Sequence, residues 1–217
     1  MNTFLTLLSG IGWMIVYEEC IRLGFKNKTY AMPFWALALN ITWEAIYSYS
    51  DIFLGAHGPL TGITAAQAVV NVFWVCLDCI ILYTYFKFGR KEWPQKISKK
   101  LFAPWSILIL ICSAMLQVAF IREFGFFHAA EYSAFLQNLL MSVLFLQLFV
   151  SRKNMEGQSL LLAVAKWIGT LAPTILMGII QFNIVVLVTG LFCSLFDILY
   201  IILLMKERKK LNESHSS

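Results

Sequence analysis

Seven runs of about twenty apolar residues, separated by short polar segments, constrain the fold of this chain most strongly. The hydrocarbon core of a bilayer is about 30 Å thick, and roughly 20 helical residues cross it. The runs lie at residues 4–22, 32–53, 68–88, 102–121, 130–150, 160–181 and 184–205. With 59% apolar and only 13% charged residues, the chain lacks the side chains to cover a water-exposed surface. The sequence therefore predicts an all-α polytopic membrane protein, with residues 1–217 forming one domain of seven transmembrane helices.

The basic residues predict the orientation of these helices. Fifteen of the 17 lysine and arginine residues follow the first, third and fifth runs or lie in the C-terminal tail. Cytoplasmic loops carry an excess of lysine and arginine. We therefore expect the N-terminus outside and the C-terminus in the cytosol. The net charge of +5 then reflects topology and anionic lipid headgroups, and it does not indicate a nucleic-acid partner.

Three carboxyl groups lie where the bilayer is least tolerant of them. Glu44, Asp78 and Asp197 fall near the middle of the second, third and seventh runs. Each costs about 2.5–3.5 kcal/mol on insertion scales, so each is expected to face the bundle interior or a water-filled cavity. Hydrogen bonding between helices is one explanation, but three such acids favour a functional site. Lys166, near the cytosolic end of the sixth run, is interpreted as a snorkelling side chain.

Polar and aromatic residues accompany these acids at helical spacing. Asn40, Glu44 and Tyr47 recur every three or four residues on the second run, which predicts one polar stripe. Asn71, Trp74 and Asp78 repeat that spacing on the third run, and Tyr200 follows Asp197 by about one turn. The predicted substrate-binding residues are Asn40, Trp43, Tyr47, Asn71, Trp74 and Tyr200.

This combination suits acid-initiated carbocation chemistry. Desolvation favours the neutral form of a carboxyl group, so an acid in an apolar bundle can keep its proton and act as a Brønsted acid. Two neighbouring acids can share one proton, and aromatic faces stabilise a developing cation. The predicted reaction is protonation of an alkene or epoxide on a polyene that enters from the lipid.

The residues resemble a known family, the small seven-helix integral-membrane terpene cyclases of fungal meroterpenoid and indole-diterpene pathways, of the pyripyropene and paxilline type. The similar segments are "MPFWALALNITWE" at 32–44, "FWVCLD" at 73–78, "SRKNMEGQSLLLAVAKWIGT" at 151–170 and "CSLFDILY" at 193–200. The resemblance implies a non-canonical terpene cyclase, of lyase or isomerase class, that protonates the terminal epoxide or alkene of a prenylated substrate.

The resemblance also implies residue roles. It makes Glu44 the expected proton donor and Asp197 its partner, while Asp78 is added on physical grounds as a second acid or a supporting group. The chain has neither a D-D-x-x-D nor a D-x-D-D motif, and Cys76-x-x-Cys79 stands alone. We therefore predict no metal and no organic cofactor. A prenyltransferase and an epoxidase are the expected pathway partners, in the endoplasmic reticulum or a bacterial inner membrane.

Two other classes of seven-helix protein remain open. Acids inside the membrane also serve the proton relays of transporters, but those folds show inverted repeats and broken helices in matching positions. Here only Pro173 interrupts a run. A microbial retinal protein needs a lysine in its last helix, whereas the seventh run has none before Lys206. The proton-coupled transporter is the main alternative.

Overall fold

The computed structural model describes residues 1–55, 62–152 and 154–216, and these form helices and connecting turns without a β-strand. Lys153, one of the basic residues used for orientation, lies outside the described residues. The helices are α1 (Asn2–Asn27), α2 (Phe34–Leu54), α3 (Gly62–Phe88), α4 (Phe102–Arg152), α5 (Leu160–Pro173) and α6 (Ile184–Ser216). Short 3₁₀ turns at Gly89–Glu92 and Lys99–Leu101 connect α3 to α4, and a π-helical turn at Thr174–Ile180 extends α5. The all-α class is confirmed.

The fourth and fifth apolar runs both lie within α4. This element has 51 residues but is interrupted at Gly125, where φ is 72° and ψ is 163°. Only glycine adopts such a conformation readily. Nε2 of Gln117 lies 3.1 Å from Oε1 of Gln137 across the break, although residues twenty apart in a straight helix are about 30 Å apart. The two arms of α4, residues 102–124 and 126–152, therefore fold back on each other.

Among the described residues, five helices are long and apolar enough to cross a membrane, and one of them is the two-armed α4. The helix α2 is not among these five, because polar side chains occupy one of its faces. Asn40, Glu44, Tyr47, Ser48 and Asp51 on that face are all buried. The predicted polar stripe of the second run is thus confirmed, and it points into the protein.

The helices form a ring in which each contacts two neighbours. Going round the ring, the order is α3, α1, α5, α6, α4 and α2, and α2 packs on α3 to close it. Tyr17 of α1, Tyr200 of α6 and Phe145 of α4 belong to the hydrophobic core inside this ring. This arrangement brings the polar faces of α1, α2, α3 and α4 toward one another.

Close packing of α1 on α5 depends on a glycine pair. A Cβ atom on Gly12 would lie 2.8 Å from Cα of Gly169 and 2.9 Å from the carbonyl oxygen of Ala165. Both are backbone atoms, which cannot move aside as a flexible side chain would. We expect Gly12→Ala to lower the free energy of unfolding by about 1–3 kcal/mol through overpacking, measured by thermal unfolding in detergent.

Gly10 provides the matched control on the same helix. A Cβ atom there would meet nothing within 4 Å. Because glycine inside a helix is less favourable than alanine by about 0.5–1 kcal/mol, Gly10→Ala is expected to raise stability. Equal effects of the two substitutions would contradict the assigned α1–α5 contact.

Candidate active site

Two buried carboxyl groups meet at the centre of the polar cluster. Glu44 on α2 is 2% exposed and Asp78 on α3 is fully buried. One amide nitrogen, Nδ2 of Asn40, lies within 3.0 Å of an oxygen of each carboxyl group. Helical spacing explains their orientation, because Asn40 and Glu44 occupy one face of α2 while Asn71, Trp74 and Asp78 share a face of α3. The structure therefore brings two of the three predicted acids together.

Asn40 connects the two acids. Its Nδ2 lies 3.0 Å from Oε1 of Glu44, 2.9 Å from Oδ2 of Asp78 and 2.6 Å from the hydroxyl oxygen of Tyr17. The Tyr17 hydroxyl in turn donates to Oε1 of Glu44. Oδ1 of Asn40 accepts a hydrogen bond of 3.3 Å from Gln137. A single amide thus joins side chains from α1, α2, α3 and α4.

Each acid keeps one oxygen without a hydrogen-bond donor among the described residues. These oxygens are Oε2 of Glu44 and Oδ1 of Asp78, and both are buried. Two ionised carboxylates can only accept hydrogen bonds, whereas a protonated carboxyl group can also donate one. One proton shared by the pair would remove the repulsion between two like charges. Two neighbouring buried acids of this kind can share one proton.

Aromatic rings border this acid pair. The ring of Trp74 stacks on Tyr17 with a centroid distance of 6.0 Å and an interplanar angle of 28°. Trp43 lies 4.7 Å from Tyr47, whose ring is 4.9 Å from Phe126. Nε1 of Trp43 donates to the carbonyl oxygen of Ala130 at 3.2 Å, which fixes the indole. Asn71 is also buried, on the Asp78 face of α3.

Asp197 has a different neighbour from the one expected. It is 1% exposed on α6, and both of its carboxylate oxygens lie 2.9 Å from Nζ of Lys166. The interpretation of Lys166 as a snorkelling side chain is wrong, because this lysine is fully buried. Asp197 lies on α6 within reach of the lysine. Its attraction for the ammonium group outweighs the hydration that this group would gain at the membrane surface. The predicted partnership of Asp197 with Glu44 remains a prediction.

Tyr200 contacts side chains outside the Glu44–Asp78 pair. Its hydroxyl donates to Oε1 of Gln158 at 3.0 Å, and its ring stacks on Phe145 at 5.8 Å. The predicted site residues thus fall into two groups. The first contains Glu44, Asp78, Asn40, Trp43, Tyr47, Asn71 and Trp74 on α2 and α3, and the second contains Asp197 and Tyr200 on α6.

Sequence reasoning did not identify Tyr17, which donates to Glu44, or the role of Lys166. A signal existed for each. Tyr17 follows Trp13 by four residues, and both lie on the buried face of α1. A buried tyrosine hydroxyl usually has a hydrogen-bond partner inside the protein. Lys166 lies inside the sixth run, and a buried lysine requires a counter-charge.

Comparison with known proteins identifies the relatives of this chain. The sequence profile of the Pyr4-like transmembrane terpene cyclases matches residues 1–210. Pyr4-family terpene cyclase mfmH of Annulohypoxylon moriforme is 30% identical over 168 residues, which cover 76% of this chain and 65% of mfmH. Terpene cyclase pyr4 of Aspergillus fumigatus is 27% identical over 220 residues, covering 96% of this chain and 87% of pyr4.

Terpene cyclase andB of Emericella variicolor is 26% identical over 171 residues, covering 78% of this chain and 68% of andB. The chain thus spans about two thirds of the length of mfmH and andB, and most of pyr4. No solved structure matches the chain.

Proposed function

The chain belongs to the Pyr4-like transmembrane terpene cyclase family, and from this membership we propose that it is a membrane-bound terpene cyclase. It protonates the terminal epoxide or alkene of a prenylated meroterpenoid or indole-terpenoid substrate and so starts carbocation cyclisation. The observation that carries the proposal is the buried Glu44–Asp78 pair, in which each acid has one oxygen without a donor among the described residues. Such a pair can store one proton away from water.

The proposed first step transfers that proton from the acid pair to the substrate. With an epoxide, a new O–H bond forms, the carbon–oxygen bond breaks, and the carbon becomes electron-deficient. With an alkene, a new C–H bond forms at one carbon and the positive charge appears on the other. Glu44 is the donor: its O–H bond breaks as the proton moves to the substrate, and the pair stays without a proton until it takes one up again at the end of the turnover. General acid catalysis of this kind contributes about 10²–10⁴-fold in rate.

The following steps form carbon–carbon bonds without further proton exchange. The π electrons of each alkene attack the cation before it, which moves the charge along the chain and closes the rings. The rings of Trp74, Tyr17, Trp43 and Tyr47 offer electron-rich faces to this moving charge. Loss of a proton from the last cation forms the final double bond, so substrate and product have the same elemental composition.

The membrane supplies both the position of the enzyme and the path of its substrate. The protein is an integral membrane protein by its family and its apolar helices. In the proposed topology the two arms of α4 cross the bilayer separately, which gives seven spans, with the N-terminus outside and the C-terminus cytosolic. A prenyl chain then partitions into the lipid and reaches the bundle laterally. Prenyl transfer, and epoxidation for an epoxide substrate, are the reaction classes that precede this step.

The test uses membranes that contain the full chain. They are incubated with farnesylated and geranylgeranylated aromatic compounds, each with and without a terminal epoxide, and the products are analysed by mass spectrometry and NMR. We expect a cyclised isomer of unchanged mass from at least one substrate, and none from membranes without the protein. Accumulation of unchanged compound inside sealed vesicles, with no isomer formed, would support the transporter alternative instead.

A further inference from the structure

The ion pair of Lys166 and Asp197 lies inside the bundle, and the proposed proton donation by Glu44 does not use it. Lys166 on α5 is fully buried and Asp197 on α6 is 1% exposed. Nζ of Lys166 lies 2.9 Å from each carboxylate oxygen of Asp197 and 2.7 Å from Oγ of Ser142 on α4. An ammonium group has three hydrogens to donate, and each has an acceptor here.

This arrangement is the one that an ionised carboxylate beside an ammonium group adopts. Because the ammonium group donates to both oxygens, a proton on Asp197 would have to displace one of these charge-assisted hydrogen bonds. The environment of Glu44 differs, since its donors are the neutral groups of Tyr17 and Asn40. Two buried acid sites therefore coexist in one bundle, one suited to holding a proton and one suited to holding a charge.

A purely structural role explains the ion pair poorly. Removing two charges from water costs several kcal/mol per ion, and well-packed apolar residues often replace a buried pair with no loss of stability. Polar residues in the membrane interior are costly and commonly functional.

We propose that Lys166 is a positioning residue that keeps Asp197 unprotonated, so that Asp197 acts after the first proton transfer and accepts the last proton of the cascade. This inference rests on the proposed cyclase function. In the final step a C–H bond next to the last cation breaks, its electron pair becomes the new double bond, and the proton forms an O–H bond on Asp197.

The proton balance then closes over one turnover. Glu44 gives one proton to the substrate, and Asp197 receives one from it. The enzyme returns to its starting state when Asp197 releases a proton to water and the Glu44–Asp78 pair takes one up. Lys166 favours this release, because its ammonium group stabilises the carboxylate of Asp197. The division of labour explains why acids on α2, α3 and α6 are all retained inside the membrane.

Infrared spectroscopy tests the assignment without any substrate. A protonated carboxyl group has its own carbonyl stretching band, which a carboxylate lacks. In the purified full chain we expect this band to be lost in the double variant Glu44→Gln/Asp78→Asn and unchanged in Asp197→Asn. Lys166→Met is expected to add a band, and Lys166→Met/Asp197→Asn to remove it again. Loss of intensity in Asp197→Asn alone would overturn the proposal.

The exposed pair Lys210–Glu207, with Nζ 3.4 Å from Oε2, provides the matched control. Lys210→Met removes a lysine charge from the same chain but should leave the infrared band, the stability and the products unchanged. Lys166→Met, by contrast, removes the counter-charge of a buried acid, and a variant of this kind can fail to fold. The double variant Lys166→Met/Asp197→Asn removes both charges, and it keeps the experiment decisive.

Product analysis provides the second measurement. The folded double variant is expected to consume substrate while releasing a changed ratio of products, with a shifted double bond or an added water molecule, because termination has lost its base. Glu44→Gln should instead leave the substrate unreacted. Unreacted substrate with the double variant, or its wild-type product ratio, would overturn the proposal. A wild-type protein that forms no cyclised product would contradict the cyclase function, while the infrared result would still decide the protonation state of Asp197.

Discussion

Substituting Glu44 by glutamine is expected to lower the rate of cyclisation by about 10²–10⁴-fold, the range in which general acid catalysis operates. An amide cannot deliver the proton that opens an epoxide or adds to an alkene. The substrate should therefore be recovered unchanged rather than partly cyclised. The rate is measured as isomer formed per amount of purified protein in membranes.

The same substitution should leave the fold intact, because glutamine can reproduce the hydrogen bonds of Glu44. Its Oε1 can accept from the Tyr17 hydroxyl and from Nδ2 of Asn40, as the carboxylate oxygen does. Its amide group then replaces Oε2, which has no donor among the described residues. Thermal stability close to that of the wild type would assign the lost rate to chemistry.

Glu123→Gln is the matched control, since it makes the same carboxyl-to-amide change at an exposed position in the first arm of α4. It should turn over at the wild-type rate. If Glu44→Gln also kept the wild-type rate in a folded protein, Glu44 would not be the proton donor. Asp78→Asn would then be the next variant to test, because Asp78 is the other member of the pair.

Local periodicity accounts for what the sequence could predict. A repeat of three and four residues fixes which face of a helix is polar, and the buried faces of α2 and α3 followed directly from Asn40, Glu44, Asn71 and Asp78. These two faces come together if both turn toward the interior of the bundle. They turn inward because a carboxyl group that faces lipid is costly.

Pairing between distant helices could not be predicted in this way. Periodicity gives a direction from each helix axis but not which helix lies opposite. Lys166 is six residues into α5, about 9 Å from its start at 1.5 Å per residue, so its stem could have reached the interface. Only the packing of α5 on α6 shows that Asp197 lies within 2.9 Å. The order of helices around the ring is the information that a single sequence lacks.

The break in α4 shows a similar limit. The segment between the fourth and fifth runs contains one glycine and no proline, so helical backbone continues from both sides until Gly125. The sequence predicts two spans and a connection of eight residues, whereas the structure makes the connection at a single residue. A positive φ at that one position reverses the chain.

Replacing Arg152 by methionine is expected to have the largest effect on stability outside the candidate active site. Its guanidinium group connects three segments at one end of the bundle. Nε lies 2.9 Å from Oε2 of Glu92, Nη1 lies 3.0 Å from the carbonyl oxygen of Glu156, and Nη2 lies 2.7 Å from the carbonyl oxygen of Tyr30. Nη2 also lies 2.9 Å from Oγ1 of Thr29, so one side chain at the end of α4 holds all three connecting segments.

The expected cost follows from burial. The Arg152 side chain is 8% exposed and that of Glu92 is 24% exposed, so water screens this pair only in part. Breaking a buried pair by removing one partner costs about 3–5 kcal/mol, and partial exposure places this pair toward the lower figure. The cation also lies 4.4 Å from the centroid of the Tyr30 ring, an attraction that methionine cannot replace. Thermal unfolding in detergent measures the loss.

Two further variants separate charge from geometry. Arg152→Lys keeps the charge but loses the planar fork that contacts Glu92 and the carbonyl oxygens together, so it should recover only part of the stability. Arg90→Met removes an arginine that is exposed and makes one long hydrogen bond, 3.3 Å to the carbonyl oxygen of Lys99, and it should change little. If Arg152→Met were as stable as Arg90→Met, the guanidinium contacts would contribute no net stability. The connections would then be held by the packing of the helices alone.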